Sequence, residues 1–314
     1  ANSAAATSAS FNAGTQTLAI NGNTTINGGT FKTGTNTITF GNASGDTVTI
    51  SSGELQVQSD STTVDIVKTA GTWTNSGGTI TYNSATAQST TLLSALSAYN
   101  HLTVNSTGST YTLNGAITAN GNLTITAGTL DVNSVTGYDI NVGGNWTNSG
   151  TFTPRNKTVT FNGSGTQTLI SGGTGTGKQF NNIVKSAAGT VNIATNDVYA
   201  GGAVTVSGGT LATKGYELTS IGNLTVSSGT LDGTDSGGEG DTSYIYVGGS
   251  ADFTGGDYTE ATSTLVMNGT GSTTFTSASE ALNNLTINDG LVGYWKLDEA
   301  SANLCTGGAN DSCD

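Results

Sequence analysis

Apolar side chains in this chain come in short alternating runs. Leu123 and Ile125 alternate with Thr124 and Thr126, a glycine follows at Gly128, and a second run opens with Leu130 and Val132. Alternation at every second residue marks a strand with one face buried. The phrase Gly-Asn-Leu-Thr-Ile-Thr-Ala-Gly-Thr-Leu at 121–130 returns as Gly-Asn-Leu-Thr-Val-Ser-Ser-Gly-Thr-Leu at 222–231. It returns again as Gly-Ala-Val-Thr-Val-Ser-Gly-Gly-Thr-Leu at 202–211, and more loosely at 22–31. A unit this short cannot bury its apolar side alone, so it must stack on its neighbours.

A longer period is nested over the short one. Phe-Asn-Ala-Gly-Thr-Gln-Thr-Leu at 11–18 reappears at 161–169 with one inserted residue, and looser relatives start at Tyr82 and Met267. The short unit of roughly 20 residues predicts an all-β fold, a right-handed parallel β-helix (β-solenoid) of about 15 coils. A β-sandwich of ordinary hairpins is the alternative, but a sandwich has no need of self-similarity. The alternation predicts that Leu123, Ile125, Leu130, Val132, Ile140 and Val142 point inward. Asn122, Asn162, Asn181, Asn223 and Asn268 head successive units and suggest a ladder in which each amide bonds the next. Residues 41–67 and 222–247 are too long for one unit and predict protruding loops. Residues 89–98 have the only helix-like pattern, and at that length an irregular strand competes with a helical turn.

Composition supports strand over helix and narrows the function classes. Charged residues make up 9%, and the strong helix formers are scarce. The net charge is −13 and no basic stripe exists, which argues against nucleic-acid binding. No apolar run is long enough to span a membrane. The two cysteines, Cys305 and Cys313, lie close together near the C-terminus. In an otherwise cysteine-free chain this pair suits a local disulfide in an oxidising, extracellular setting.

Candidate chemistry is sparse. Asp232, Asp235, Glu239 and Asp241 lie in a glycine-rich loop and could offer oxygen ligands to Ca²⁺, although the spacing misses both common calcium-loop templates. A solvated surface loop is the competing reading. The cations are scattered, with no spacing that sets one beside an acid pair, and His101 stands alone beside a strand. No catalytic residue, no cofactor site and no enzyme activity are therefore predicted. Trp73, Trp146 and Phe253 recur at equivalent places in the long repeat. They are expected to fill the core, with sugar-stacking platforms as the alternative.

Two stretches resemble known families. The repeat phrases over about residues 11–290 resemble the Thr/Asn/Gly-rich β-solenoid regions of bacterial cell-surface proteins. Gly290-Leu-Val-Gly-Tyr-Trp-Lys-Leu-Asp-Glu299 resembles the opening strand of laminin-G-like, concanavalin-like jelly-roll domains in secreted bacterial proteins. No sugar-binding residue carries over from that resemblance. Two regions follow: a solenoid at 1–290, and a C-terminal strand with a cysteine tail at 291–314. The expected function is that of an extracellular structural protein, assembled head to tail with copies of itself into a cell-surface filament. Leu291, Tyr294, Trp295 and Leu297 would supply the docking strand. The alternatives are the rigid stalk of an adhesin that presents a lectin-like domain, possible binding of surface glycans included, and a carbohydrate-binding or carbohydrate-degrading β-helix.

Overall fold

The computed structural model describes residues 10–58, 71–93, 96–236 and 243–288, together with the backbone of 66–68. Over this span the chain is an all-β parallel β-solenoid of about 12 turns, each of about 22 residues. No helix occurs among the described residues. At a strand spacing of about 4.8 Å the stack is roughly 55 Å tall.

Each turn visits three faces. The first face runs from Ser10–Asn12 through Thr30–Lys32, Glu54–Val57 and Thr79–Tyr82 to Thr190–Ile193, Thr210–Ala212, Thr230–Asp232 and Asp257–Thr259. In the C-terminal half the second face stacks Val198–Ala200, Leu218–Ser220, Tyr244–Val247, Thr264–Met267 and Asn284–Ile287. The third stacks Val204–Val206, Leu224–Val226, Ala251–Asp252 and Phe275–Thr276. Neighbouring turns pair in parallel, as in Val191↔Leu211↔Leu231↔Tyr258. Near the middle, His101–Thr112 and Leu123–Asp131 run across a corner and so belong to two faces at once. Leu102 and Val104 pair with Ile80 and Tyr82 on one face, while Thr110–Thr112 pair with Ser89–Thr91 on the next. This merges two faces into a 14-stranded sheet.

The turn count corrects the expectation of about 15 coils. A turn takes 22 residues where Thr79 pairs with His101, and 25 where Glu54 pairs with Thr79, so a unit of roughly 20 overstates the number of turns. The inserted loops lengthen particular turns: Leu218 pairs with Ile245, 27 residues on, whereas Val198 pairs with Leu218 after 20. The helix-like run at 89–98 contributes the strand Ser89–Thr91, and residues 94–95 lie outside the described set.

The inward set follows the alternation. Leu123, Ile125, Leu130, Val132, Ile140 and Val142 are all fully buried, and they belong to one continuous core that runs the length of the stack. Trp73, Trp146 and Phe253 are core residues, so the platform alternative falls away. Trp146 packs edge-on against Phe152 with ring centres 4.9 Å apart and also meets Phe180 at 5.0 Å; Trp73 meets the edge of Phe40 at 5.3 Å.

Glycine makes the corners. Gly165, Gly189, Gly209 and Gly229 stand one above another where the third face turns into the first. The N–H groups of Thr190, Thr210, Thr230 and Asp257 donate to the carbonyls of Gly165, Gly189, Gly209 and Gly229, at 3.1, 3.0, 2.8 and 2.8 Å. A Cβ on Gly189 would lie 2.1 Å from the Gly165 carbonyl oxygen, and one on Gly209 would lie 2.2 Å from that of Gly189. The recurring Gly-Thr-Leu phrase is therefore a corner glycine, an N–H that binds the turn below, and an inward leucine.

A second corner device replaces the expected asparagine ladder. A residue at the start of a strand, or just before it, accepts through its side chain the N–H of its counterpart one turn later. His101 Nδ1 accepts from Asn122, Asn122 Oδ1 from Asn145, and Asn145 Oδ1 from Thr168, at 2.9, 2.9 and 2.8 Å. Asn182 serves Ala203, and Asn223 serves Ser250, each at 2.9 Å. The acceptor's partner is thus backbone rather than another amide. Asn122 and Asn223 take part, but Asn162 sits after a strand, where its N–H donates to the Val142 carbonyl instead.

Trp146 fills the core between Leu123 and Leu169, whereas Thr147 points outward from the same strand. Trp146→Ala should cost about 3–5 kcal/mol in denaturant unfolding. Thr147→Ala should stay within about 0.5 kcal/mol of the parent.

Candidate functional site

The acidic loop is described only in part. Asp232 closes the strand Thr230–Asp232, and its Oδ1 accepts the N–H of Thr234 at 2.9 Å, so this carboxylate holds its own loop. Asp235 lies against the second-face corner, where a Cβ on Gly215 would come within 2.8 Å of its Oδ1. Glu239 and Asp241 lie outside the described residues. Among the described residues no group of three or more His, Cys, Asp or Glu side chains converges. Cys305 and Cys313, and the strand with Leu291, Tyr294, Trp295 and Leu297, also lie outside the described residues. No helix among the described residues is long and apolar enough to cross a membrane.

The structure brings together a different set of groups on the second face. Val198, Leu218 and Ile245 stack inward there, which places Asp197, Glu217 and Tyr244 in one column just before them. The next outward column holds Tyr199, Thr219 and Tyr246. Asp197 Oδ1 accepts the N–H of Glu217 at 2.9 Å. Burial, and then the charge of Asp197, push the Glu217 carboxyl above its ordinary range, while a hydrogen bond from Tyr246 pulls it back. Burial, and then Glu217, raise the Tyr246 hydroxyl. The rings of Tyr244 and Tyr246 stack with centres 5.9 Å apart, and Tyr244 is 38% exposed.

The chain matches no family model, no curated protein and no solved structure. Its surfaces must therefore be read from their own chemistry.

Sequence reasoning passed over this patch. The signal was present in part, because Asp197 and Glu217 are one regular 20-residue step apart and Tyr244 and Tyr246 alternate. The insertion between Asp232 and Ser243 hides the step from Glu217 to Tyr244.

Two other clusters of titratable groups lie inside the stack. The hydroxyls of Tyr82 and Tyr99 meet at 3.3 Å, and Tyr82 also accepts the N–H of Leu93 at 2.9 Å. Burial raises both, Tyr99 to about 12. Lys185 occupies an inward position in register with Phe161 and Val206, and it is fully buried. Its ammonium donates to the Ala187 carbonyl, and no carboxylate pairs with it in any salt bridge among the described residues. Burial lowers its pKa from the ordinary lysine value of 10.5.

The lysine costs stability in a defined pH window. The unfolded chain holds this proton more tightly, so stability rises with pH from the lowered value up to the ordinary lysine range, and below that window the full cost applies. Lys185→Met should therefore raise stability near pH 7 by about 1–3 kcal/mol. In thermal melts across pH, that gain should shrink as the pH approaches the lysine range.

Proposed function

We propose that this chain is an extracellular structural protein whose subunits join end to end into a cell-surface filament. The observation that carries the reading is that, among the described residues, the first and last strands of the stack each have a single paired neighbour and an exposed apolar side chain. Among the described residues the strand Ser10–Asn12 pairs only with Thr30–Lys32, and its Phe11 is 48% exposed while stacking on Phe31 at 4.8 Å. At the other end, among the described residues, Asn284–Ile287 pairs only with Thr264–Met267, and Ile287 is 52% exposed. Open strand edges recruit further strands unless something covers them. A contact between two different ends is heterologous and builds an open filament when it does not close into a ring.

In this reading Leu291–Leu297 is the docking strand, which adds by β-augmentation to the N-terminal end of the next subunit. The outward Thr, Asn and Ser residues keep the sides of the rod polar, which steers association to the ends. The resemblance of 290–299 to a jelly-roll opening strand favours a second reading, a rigid stalk that carries a lectin-like domain.

Negative-stain microscopy and sedimentation separate the two. The filament reading expects regular fibres from the chain as given and monomeric, folded rods from a version lacking 291–314. Fibres that persist after the truncation, or separate rods from the intact chain at high concentration, would contradict it.

A further inference from the structure

The outer faces carry mostly threonine, asparagine and serine, and the second face departs from that rule. Tyr82, Tyr99, Tyr111 and Tyr258 are buried, and Tyr138 and Tyr216 pack partly against the core. The outward tyrosines Tyr199, Tyr244 and Tyr246 instead gather on one face within three successive turns. Outward aromatic rings on a flat sheet are a solubility liability, and tyrosine is enriched where a surface binds something. Tyr199 and Tyr246 share a column two turns apart, about 9.6 Å along the axis, with the hydroxyl of Thr219 between them.

Charge selects the occupant. Asp197 and Glu217 flank the rings, and the two columns, Asp197–Glu217–Tyr244–Thr264–Asn284 and Tyr199–Thr219–Tyr246–Val266–Thr286, contain no cation. The two carboxylates occupy the same column one turn apart, and Asp197 Oδ1 accepts the N–H of Glu217 at 2.9 Å, so their like charges oppose each other. A cation placed beside them relieves that repulsion and also gains from the tyrosine faces. An anionic polymer such as a uronate or sulfated glycan would meet repulsion instead. Rings at two levels of the rod, Tyr199 on one and the stacked Tyr244 and Tyr246 on the other, offer more to a chain of rigid sugar rings with broad C–H faces than to a slender lysine stem, which uses one ring at a time. We propose that this patch binds an amino-bearing polysaccharide, its sugar rings lying along Tyr199 and Tyr246 and its ammonium groups beside Asp197 and Glu217. The patch lies on the side of the rod, so the proposal stands apart from how subunits join at their ends.

Calorimetric titration of the whole chain with three probes tests this: a glucosamine oligomer, its fully N-acetylated counterpart, and a lysine oligomer of equal charge. The glucosamine oligomer should bind at least tenfold more tightly than either of the others. Tyr199→Ala and Glu217→Gln should each weaken it tenfold or more, and Thr219→Arg, which sets a cation at the centre of the patch, should abolish it. Asp252→Asn removes an acid from the third face and should leave binding unchanged. Circular dichroism melts identify any variant that has lost its fold, and the remaining variants then decide. The proposal is overturned if the three probes bind alike, if none binds, or if Asp252→Asn weakens binding as much as Glu217→Gln.

Discussion

The close approach of one glycine corner to the next is the constraint on which the rest of this structure depends. Strands in register must sit about 4.8 Å apart to exchange backbone hydrogen bonds. At a corner the chain changes direction, and a side chain there would strike the carbonyl of the turn below. Gly189, Gly209 and Gly229 remove that obstacle, and the freed carbonyls become acceptors for Thr210, Thr230 and Asp257. A second column does the same where the chain enters the third face. There the N–H of Gly222 donates to the Gly202 carbonyl at 2.7 Å, and that of Gly249 to Gly222 at 3.0 Å. Two glycine columns thus set the rise per turn, and the three faces inherit it.

Once the rise is fixed, the core follows from size alone. Each face contributes about two inward side chains per turn, so the interior is a column of Leu, Ile and Val with few alternatives. Turns longer than the 20-residue step, such as those from Leu123 to Trp146 and from Val48 to Trp73, hold the large fillers, Trp146 with Phe152 and Phe180, and Phe40 with Trp73. Polar groups at the corners are satisfied along the axis by Asn, Asp and His side chains that reach the next turn. Gln167 shows the same economy in the interior: its amide donates to the Val142 and Gly144 carbonyls, and its oxygen accepts the N–H of Gly163.

The alternation around Leu123 and Ile125 was enough to read strand, inward face and solenoid, because a period of two has one structural meaning when the unit also repeats. The number of turns was harder to read. Repeat phrases start on more than one face, so counting them overstates the turns: the strand Thr79–Tyr82 and the next strand on its face, His101–Thr112, are 22 residues apart. The aromatic repeats Trp73, Trp146 and Phe253 were legible as core from their equivalent places. The second-face patch was legible only by half. The 20-residue step joins Asp197 to Glu217, but the inserted loop carries Tyr244 and Tyr246 out of phase. Lys185 was passed over as one scattered cation, although it follows Ile183 at an inward position of the alternation. Sequence pattern gives the position and says nothing of the residue's fitness for it.

If the glycine columns set the stacking distance, stability should depend on them where no other property of glycine is involved. Gly189 does not have a left-handed conformation, so its special demand is the close approach of the backbone below: the Gly165 and Gly163 carbonyl oxygens lie 2.1 and 2.6 Å, and the Ser164 carbonyl carbon 2.7 Å, from a would-be Cβ. Gly175 has neither a left-handed conformation nor any atom within 4 Å of a would-be Cβ. The decisive measurement is denaturant unfolding of Gly189→Ala and Gly175→Ala side by side. The account predicts a loss of more than about 2 kcal/mol for the first and a change within about 0.5 kcal/mol for the second. Equal stability of the two variants would contradict it.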